Sequence, residues 1–224
     1  MSLIHIPQLL KPEELETIDF LLEKSQFIDG ARTASLAAKT VKNNLQIDSN
    51  DLETLPQLQS LILEALKTSP LFQIFTLPKS ICPIIFSKYF EGMTYGWHVD
   101  SPQMGSPTVR TDLAMTIFLS EPNTYERGEL LIHGSQGITT YKPNKGDAVV
   151  YPCSYLHCVN PITKGGQRAA VTWIQSEIGS MEKRQILFNL NQVYSLIFQK
   201  DSNSIEANLL LQTHSNLLRM WLAD

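Results

Sequence analysis

The sequence predicts a mainly β protein with helices at both ends, and two patterns in the 224-residue chain carry that prediction. In the middle of the chain, short runs rich in β-branched and aromatic residues alternate with Pro, Gly and Asn, which is typical of a β-sandwich or barrel. On either side of this region, apolar residues recur at three- and four-residue steps, the spacing of amphipathic helices. The predicted strands are residues 84–90, 113–119, 129–133, 137–141, 148–151 and 169–174.

Two helices are predicted before the β region. The first covers residues 13–23, with Pro12 suited to its first turn because proline has no N–H to leave unbonded there. The second begins at Asp51, a good N-cap residue, and ends before Pro70. Pro56 leaves a later start open, since proline is tolerated only near the beginning of a helix.

Two further helices, 186–197 and 205–222, follow the β region and are separated by a polar break. We therefore expect one domain over residues 1–178, with its β core at about 80–178. Residues 179–224 then form a helical extension packed on that core.

Composition excludes several classes of protein. A hydrophobic fraction of 43% with 18% charged residues is ordinary for a folded globular chain. A net charge of −4 without any basic run argues against nucleic-acid binding, and no apolar run is long enough for a membrane helix or headed by the basic residues of a secretory signal. Three cysteines without a C-x-x-C pair indicate reduced thiols and a cytoplasmic protein. The oligomeric state stays open, with a homodimer among the alternatives.

The residues that point to chemistry are His98, Asp100 and His157. In a strand, His98 and Asp100 at i and i+2 project to the same side, so one strand offers two metal ligands. His157 from a later strand would complete a set of two histidines and one carboxylate. That set suits iron(II) and leaves open coordination positions, as an oxygenase requires. A chelating oxo acid would fill two of these positions and leave one for dioxygen.

Arg168 is the predicted partner for an anionic co-substrate, since a guanidinium pairs with a carboxylate through two parallel hydrogen bonds. Pro161 and residues 164–166, which lie between His157 and Arg168, are predicted to form a turn that places these two residues on neighbouring strands. Alternation along the outgoing strand predicts that Arg168, Ala170 and Thr172 line the cavity.

Several short segments of the chain form a pattern, namely residues 95–100, 110–113, 118–120, 128–130, 146–147, 151–152, 156–159 and Arg168. Taken together, these segments resemble the PKHD-type hydroxylases, bacterial members of the prolyl/lysyl hydroxylase-like branch of the iron and 2-oxoglutarate dioxygenases. The resemblance runs over nearly the whole chain, from residues 41–44 to the helical end around 217–221.

This resemblance implies a double-stranded β-helix (jelly-roll) core, with Fe(2+) at His98, Asp100 and His157 and 2-oxoglutarate at Arg168. It also implies L-ascorbate as a cofactor, and hydroxylation of an unidentified prime substrate with release of succinate and CO2. The family name points to a protein prolyl or lysyl side chain, and a small molecule such as a metal chelator or an amino acid is the alternative. Two features depart from the family pattern. The interval from His157 to Arg168 is one residue longer than expected, and Trp97 stands where Phe is usual.

Several other residues are candidates for the site within this framework. Tyr89, Tyr95 and Thr172 are candidates to contact 2-oxoglutarate, although a tyrosine in a β run often serves packing alone. Asn43 and Asn44 are candidates to face the prime substrate, although an Asn pair often satisfies local turns.

Residues 101–107 directly follow the ligand pair and have the composition of a loop, so we predict a mobile flap at the cavity mouth, with an ordinary solvent loop as the alternative. Two other kinds of protein compete with the dioxygenase interpretation. One is a cupin-like hydrolase or isomerase that uses zinc or manganese on the same triad, and the other is a non-catalytic binding module. A fixed partner for a diacid and a complete triad favour the dioxygenase.

Overall fold

The computed structural model describes residues 3–33, 39–105 and 107–222. Its described residues include sixteen strands, five α-helices and a 3-10 helix at Gly30–Thr33. The strands are β1 (Ile4–Ile6), β2 (Phe27–Asp29), β3 (Lys42–Asn43), β4 (Leu45–Ile47), β5 (Pro78–Ile81), β6 (Ile85–Phe90), β7 (Thr94–His98), β8 (Gln103–Met104), β9 (Val109–Arg110), β10 (Leu113–Phe118), β11 (Tyr125–Arg127), β12 (Leu130–Gly134), β13 (Gly137–Tyr141), β14 (Ala148–Pro152), β15 (Leu156–Val159) and β16 (Ile162–Ser176). The helices are α1 (Pro12–Lys24), α2 (Leu55–Thr68), α3 (Pro70–Thr76), α4 (Met181–Lys200) and α5 (Ile205–Leu222).

Two antiparallel sheets face each other. The larger sheet has the order β1-β14-β10-β16-β6-β4-β2, with β11 and β5 also paired to β16. The smaller sheet has the order β13-β12-β15-β7-β3, and β8 pairs with β9 in a separate ribbon. This arrangement is the predicted double-stranded β-helix with helices at both ends of the chain, so the fold class is confirmed.

The core has two layers, because the larger sheet buries both of its faces. One face packs on the N-terminal helices through residues such as Ile18, Ile62 and Phe86, each no more than 1% exposed. The other face packs against the smaller sheet through residues such as Phe118 and Ile132. Burial on both sides explains why every residue of β10 is buried and why, apart from Thr116, the strand is apolar with no alternation.

The turn predicted between His157 and Arg168 is wrong at residues 164–166 and lies at Pro161, the other residue that the sequence offers for it. Strand β16 runs without interruption from Ile162 to Ser176, and the chain reverses instead at Asn160 and Pro161. Strands β15 and β16 also lie in different sheets and so are not paired neighbours. Gly165 stays within the strand with φ of +77°, where a Cβ atom would lie 2.4 Å from the Thr124 carbonyl oxygen.

The C-terminal helices are attached through α4. Arg184 is 6% exposed, and its Nη1 donates to the carbonyls of Ile178 at 2.6 Å and Gly179 at 2.9 Å. Phe188 meets Phe75 of α3 edge to face, with ring centroids 5.3 Å apart. The division at residue 178 stays a prediction. Among the described residues, no helix has both the length and the apolar character needed to span a bilayer.

Helix α2 begins at Leu55, later than the predicted start at Asp51. Asp51 instead accepts hydrogen bonds from Thr54 N at 2.9 Å and from Thr54 Oγ1 at 2.7 Å. It also accepts from Gln26 N at 3.2 Å, which joins the helix start to the end of α1. The carboxylate therefore secures the turn that precedes the helix.

Asp51→Ala is expected to lower the free energy of unfolding at pH 7 by about 1 kcal/mol, the usual effect of losing a capping side chain. Burial raises the pKa of Asp51, but the hydrogen bonds from Thr54 and Gln26 outweigh it and leave the pKa below its usual value. The stabilisation is therefore complete above the unfolded-state pKa of about 4 and is lost as the pH falls through the folded-state pKa. Urea unfolding of both proteins at pH 7 and pH 3 checks this, and an undiminished difference at pH 3 would contradict it.

Candidate active site

A cavity of about 450 Å³ lies between the two sheets. Its walls include His98, Asp100 and His157 from the smaller-sheet side and residues of β6 and β16 from the larger sheet. Apolar side chains of both sheets, among them Phe118 and Val171, make up much of the remaining lining. The cavity is thus large enough for a small organic acid together with part of a second substrate.

The three predicted metal ligands lie together at one end of this cavity. One ligand atom from each of His98, Asp100 and His157 can be chosen so that all three lie within 4.8 Å of one another. His98 and His157 are directly opposite on the paired strands β7 and β15. Asp100 follows just beyond the end of β7, and its Oδ2 is 3.8 Å from Nε2 of His157.

Backbone carbonyls orient both imidazoles. Nδ1 of His98 lies 2.8 Å from the Gly96 carbonyl oxygen, and Nδ1 of His157 lies 3.0 Å from that of Tyr155. Because a carbonyl oxygen only accepts, each Nδ1 is the donor of its hydrogen bond, and Nε2 is the nitrogen left for a metal. Such a second hydrogen bond is the usual support of a metal-binding histidine.

The electrostatics of the cluster also fit a cation. Burial and the neighbouring His157 lower the pKa of His98 to about 4, so its imidazole is neutral at pH 7. Burial raises the pKa of Asp100, with His157 and the Trp173 side chain opposing the change. Oδ2 of Asp100 is buried and has no hydrogen-bond partner in the described part of the chain. A buried carboxylate oxygen left in this state is a natural ligand for a divalent ion.

A β-bulge in β7 brings Tyr95 to the same cavity. His157 pairs with His98 and Val159 pairs with Tyr95, so β7 carries one extra residue between the two pairs. The bulge lets Tyr95 and His98 face the same side although they are three residues apart. Their rings stack with centroids 3.6 Å apart, which fixes the plane of the imidazole.

Arg168 does not line the cavity, and the predicted facing of its strand is wrong. Its Nη2 lies 3.0 Å from Oδ1 of Asp19 on α1, on the helix-covered side of the larger sheet. Ala170, two residues on, belongs to the core shared with those helices. The cavity wall is made instead by the alternate set of β16 residues, Gln167, Ala169, Val171 and Trp173.

The extra residue between His157 and Arg168 accounts for this reversal. A shift of one position along a strand moves every side chain to the opposite face, so Gln167 takes the place that Arg168 was predicted to hold. Gln167 is 3% exposed and stands opposite Tyr89 of β6. The spacing noted in the sequence was therefore the signal of the change.

Of the remaining residues predicted to contact the co-substrate or the substrate, most line the cavity and one lies outside it. Tyr89, Tyr95 and Asn44 line the cavity. Thr172 borders it too, but its hydroxyl donates to the Cys82 carbonyl at 2.7 Å. Asn43 is exposed, with Nδ2 3.5 Å from the Gly92 carbonyl oxygen.

The predicted flap, residues 101–107, lies beside the metal ligands, although Ser106 is outside the described residues. Ser101 and Gln103 to Gly105 border the cavity. Residues 103 and 104 also form the strand β8, which pairs with β9, so this segment is a short β-ribbon at the mouth. Whether it acts as a lid stays a prediction.

Sequence reasoning gave no site role to Lys42 or Gln167. Lys42 is opposite Tyr95 on the paired strands β3 and β7, and its Nζ lies 5.3 Å from the Tyr95 ring centroid. Of the described residues that line the cavity, it is the only lysine or arginine. Strand β3 has only two residues, so it shows no alternation from which the facing of Lys42 could be predicted. Only the position of Lys42 beside Asn43 and Asn44 could have drawn attention to this residue.

Comparison with known proteins agrees with this geometry. The profile of the 2OG-Fe(II) oxygenase superfamily matches residues 84–175, which include all three candidate ligands. A PKHD-type hydroxylase of Gloeothece citriformis is 40% identical over 96% of this chain and 97% of its own. One of Maricaulis maris is 38% identical over 99% and 100%. The crystal structure of a Pseudomonas putida prolyl-4-hydroxylase superposes with a TM-score of 0.53 at 16% identity, covering 78% of this chain and 92% of that one.

These findings define an iron(II)- and 2-oxoglutarate-dependent dioxygenase. Within that class, the near full-length identity shows that the chain belongs to the PKHD-type hydroxylases. Both competing interpretations, a zinc or manganese hydrolase or isomerase and a binding module, are thereby set aside.

Proposed function

We propose that His98, Asp100 and His157 hold iron(II) and that the protein hydroxylates a prolyl or lysyl side chain of a peptide. The reaction would convert 2-oxoglutarate and dioxygen to succinate and CO2 while one oxygen atom enters the substrate. The observation that carries the proposal is the convergence of the three ligands with both Nε2 atoms left available by the carbonyl hydrogen bonds. Bound there, iron supplies the site at which dioxygen and the oxo acid react.

The protein residues would position the reactants. His98 and His157 would hold the ion through their imidazoles and Asp100 through its carboxylate, a ligand set that suits iron(II) oxygenase chemistry. Tyr95 holds the His98 ring by stacking on it. Apolar residues of the facing sheets, such as Phe118 of the larger sheet and Leu130 of the smaller one, would exclude water from the reacting groups.

The peptide substrate is supported by family membership and by the shape of the cavity mouth. The ribbon of β8 and β9 ends at the cavity, and Val99 next to the ligands is 52% exposed. We place the substrate side chain against this ribbon, which would act as the flap. Asn43, outside the cavity, would be reached only by parts of the peptide beyond the reacting residue.

The finer expectations belong to the same proposal. Ascorbate would keep the iron ferrous between turnovers. The cytoplasm is supported by the cysteines Cys82, Cys153 and Cys158, which are buried and form no disulfide. The net charge of −4 supports small-molecule and peptide ligands over nucleic acid, and we propose no membrane partner. A homodimer is the alternative to a monomer that sedimentation would test.

The test is a search for compounds that stimulate succinate release. Iron-loaded protein would be incubated with ascorbate, 2-oxoglutarate and peptides containing proline or lysine. We expect a slow release without peptide, a faster release with the matching peptide, and a gain of one oxygen atom in that peptide by mass spectrometry. Stimulation by small molecules and by none of the peptides would contradict the proposed substrate class.

A further inference from the structure

A row of polar side chains crosses the larger-sheet wall of the cavity. Tyr89 of β6 and Gln167 of β16 are directly opposite each other. Asn44 immediately precedes β4, whose Leu45 is paired with Lys88 of β6, so it continues the same row on the other side of Tyr89. We call Asn44, Tyr89 and Gln167 the polar row.

The polar row is buried and incompletely bonded. Asn44 is 2% exposed, Gln167 is 3% exposed and Tyr89 is 5% exposed. Nδ2 and Oδ1 of Asn44 and Oε1 of Gln167 make no hydrogen bond of ordinary geometry among the described residues, although the Asn44 amide lies close enough to the Tyr89 hydroxyl, and the Gln167 amide to the Tyr125 hydroxyl, to oppose the rise of each phenol pKa. Buried polar groups are nearly always bonded, so incompletely bonded amides that border a cavity indicate a polar ligand. Because an amide can turn its oxygen and nitrogen about, each amide can offer N–H donors to that ligand.

A cation stands on the facing wall. Lys42 lies on the cavity side of the smaller sheet, above the Tyr95 ring that stacks on His98. Arg168, by contrast, is ion-paired with Asp19 on the other side of the larger sheet. An acid bound in the cavity therefore meets the positive charge of Lys42 and not that of Arg168.

We propose that the distal carboxylate of 2-oxoglutarate binds between the polar row and Lys42, and that Arg168 serves to attach helix α1. This inference rests on the proposed function, because it assumes that the other end of the oxo acid lies on iron held by the triad. The amides and the Tyr89 hydroxyl would donate hydrogen bonds to the carboxylate, and Lys42 would supply the counter-charge. Burial raises the pKa of Tyr89 well above its usual value, so the hydroxyl keeps its proton.

The proposal also predicts a pH dependence. Burial lowers the pKa of Lys42 to about 8, although the charge of Asp29 opposes the change. The other titratable groups beside it are Tyr95, whose pKa burial raises to about 12, and His98, whose pKa burial lowers to about 4. Neither titrates near pH 8. As the pH rises from 7 to 9, Lys42 loses its charge, and the affinity for 2-oxoglutarate is expected to fall.

The experiment measures binding to nickel-loaded protein by calorimetry, so that it does not depend on turnover. Two ligands are compared, 2-oxoglutarate and 2-oxopentanoate, which carries a methyl group in place of the distal carboxylate. Lys42→Met is expected to weaken 2-oxoglutarate by about 10- to 100-fold, the usual effect of losing a hydrogen bond to a charged group. Binding of 2-oxopentanoate should stay unchanged. Gln167→Leu should act in the same direction, and Lys42→Arg should restore most of the affinity and remove the decline between pH 7 and 9.

Arg168→Met is the matched control and should leave both dissociation constants unchanged. Loss of 2-oxoglutarate binding in Arg168→Met, with normal binding in Lys42→Met, would overturn the inference. Equal affinity of the wild-type protein and Lys42→Met would do the same. Retained nickel binding and circular dichroism identify folded variants. If wild-type protein bound neither oxo acid, the proposed function itself would fail. If it bound 2-oxoglutarate more tightly than 2-oxopentanoate but Lys42→Met did not weaken that binding, only this inference would fail.

Discussion

Asp100→Ala is expected to reduce iron-dependent succinate release to the background rate and to weaken iron binding by more than about 100-fold. Loss of even an outer-shell partner of a metal site weakens binding by about 10- to 100-fold, and Asp100 would be the only carboxylate among the three ligands. Two neutral imidazoles would remain. Succinate release in the presence of ascorbate and oxygen, together with metal titration, measures both effects.

His133→Ala is the control for this experiment. His133 is exposed on β12, outside the cavity lining, so its loss should leave succinate release nearly intact. If Asp100→Ala released succinate as fast as His133→Ala, the triad would not take part in the reaction.

Gly165→Ala is expected to lower the free energy of unfolding by roughly 2–4 kcal/mol. Its φ of +77° is strained for a residue with a Cβ atom. That atom would also lie 2.4 Å from the Thr124 carbonyl oxygen and 3.1 Å from Tyr125 Cα. Backbone atoms of a paired strand cannot move aside without a shift of β11 or β16, so overpacking adds to the strain. Thermal unfolding should show a decrease in Tm of about 5–15 °C.

Gly92→Ala separates the two contributions. Gly92 has a similar φ of +79°, but a Cβ atom there would meet nothing within 4 Å. Only the backbone strain applies, and the expected loss is about 1 kcal/mol. If both variants lost the same free energy of unfolding, the backbone near Thr124 must move to make room for the new Cβ atom, and the overpacking argument would be wrong.

The sequence predicts that His98, Asp100 and His157 lie together, and they do. The signal of the first two residues is local. His98 and Asp100 lie two residues apart at the end of one strand, and burial on one side of a sheet keeps such a pair together. The helices were predicted for a similar reason. Helix α1 was expected at 13–23 and covers Pro12–Lys24, because its apolar period and its first-turn proline both lie within the segment.

The facing of β16 could not be predicted in the same way. Arg168 and Gln167 are both polar, and the strand is buried on both faces, so hydrophobic alternation does not distinguish them. The choice depends on where the chain reverses after His157. The sequence offers both Pro161 and residues 164–166 for this turn, and the structure has it at 160–161. Asp19 of α1, remote in sequence, then holds Arg168 on the outer face.

The two ends of the cavity belong to different sheets. His98 and His157 are in the smaller sheet, whereas Tyr89 and Gln167 are in the larger one. A co-substrate held at one end by iron and at the other by the polar row would therefore connect the two sheets. By mass action, a free co-substrate concentration of about one hundred times its Kd would raise the free energy of unfolding by about 2.7 kcal/mol. The prime substrate would then enter a cavity whose two sheets are already held together by the co-substrate.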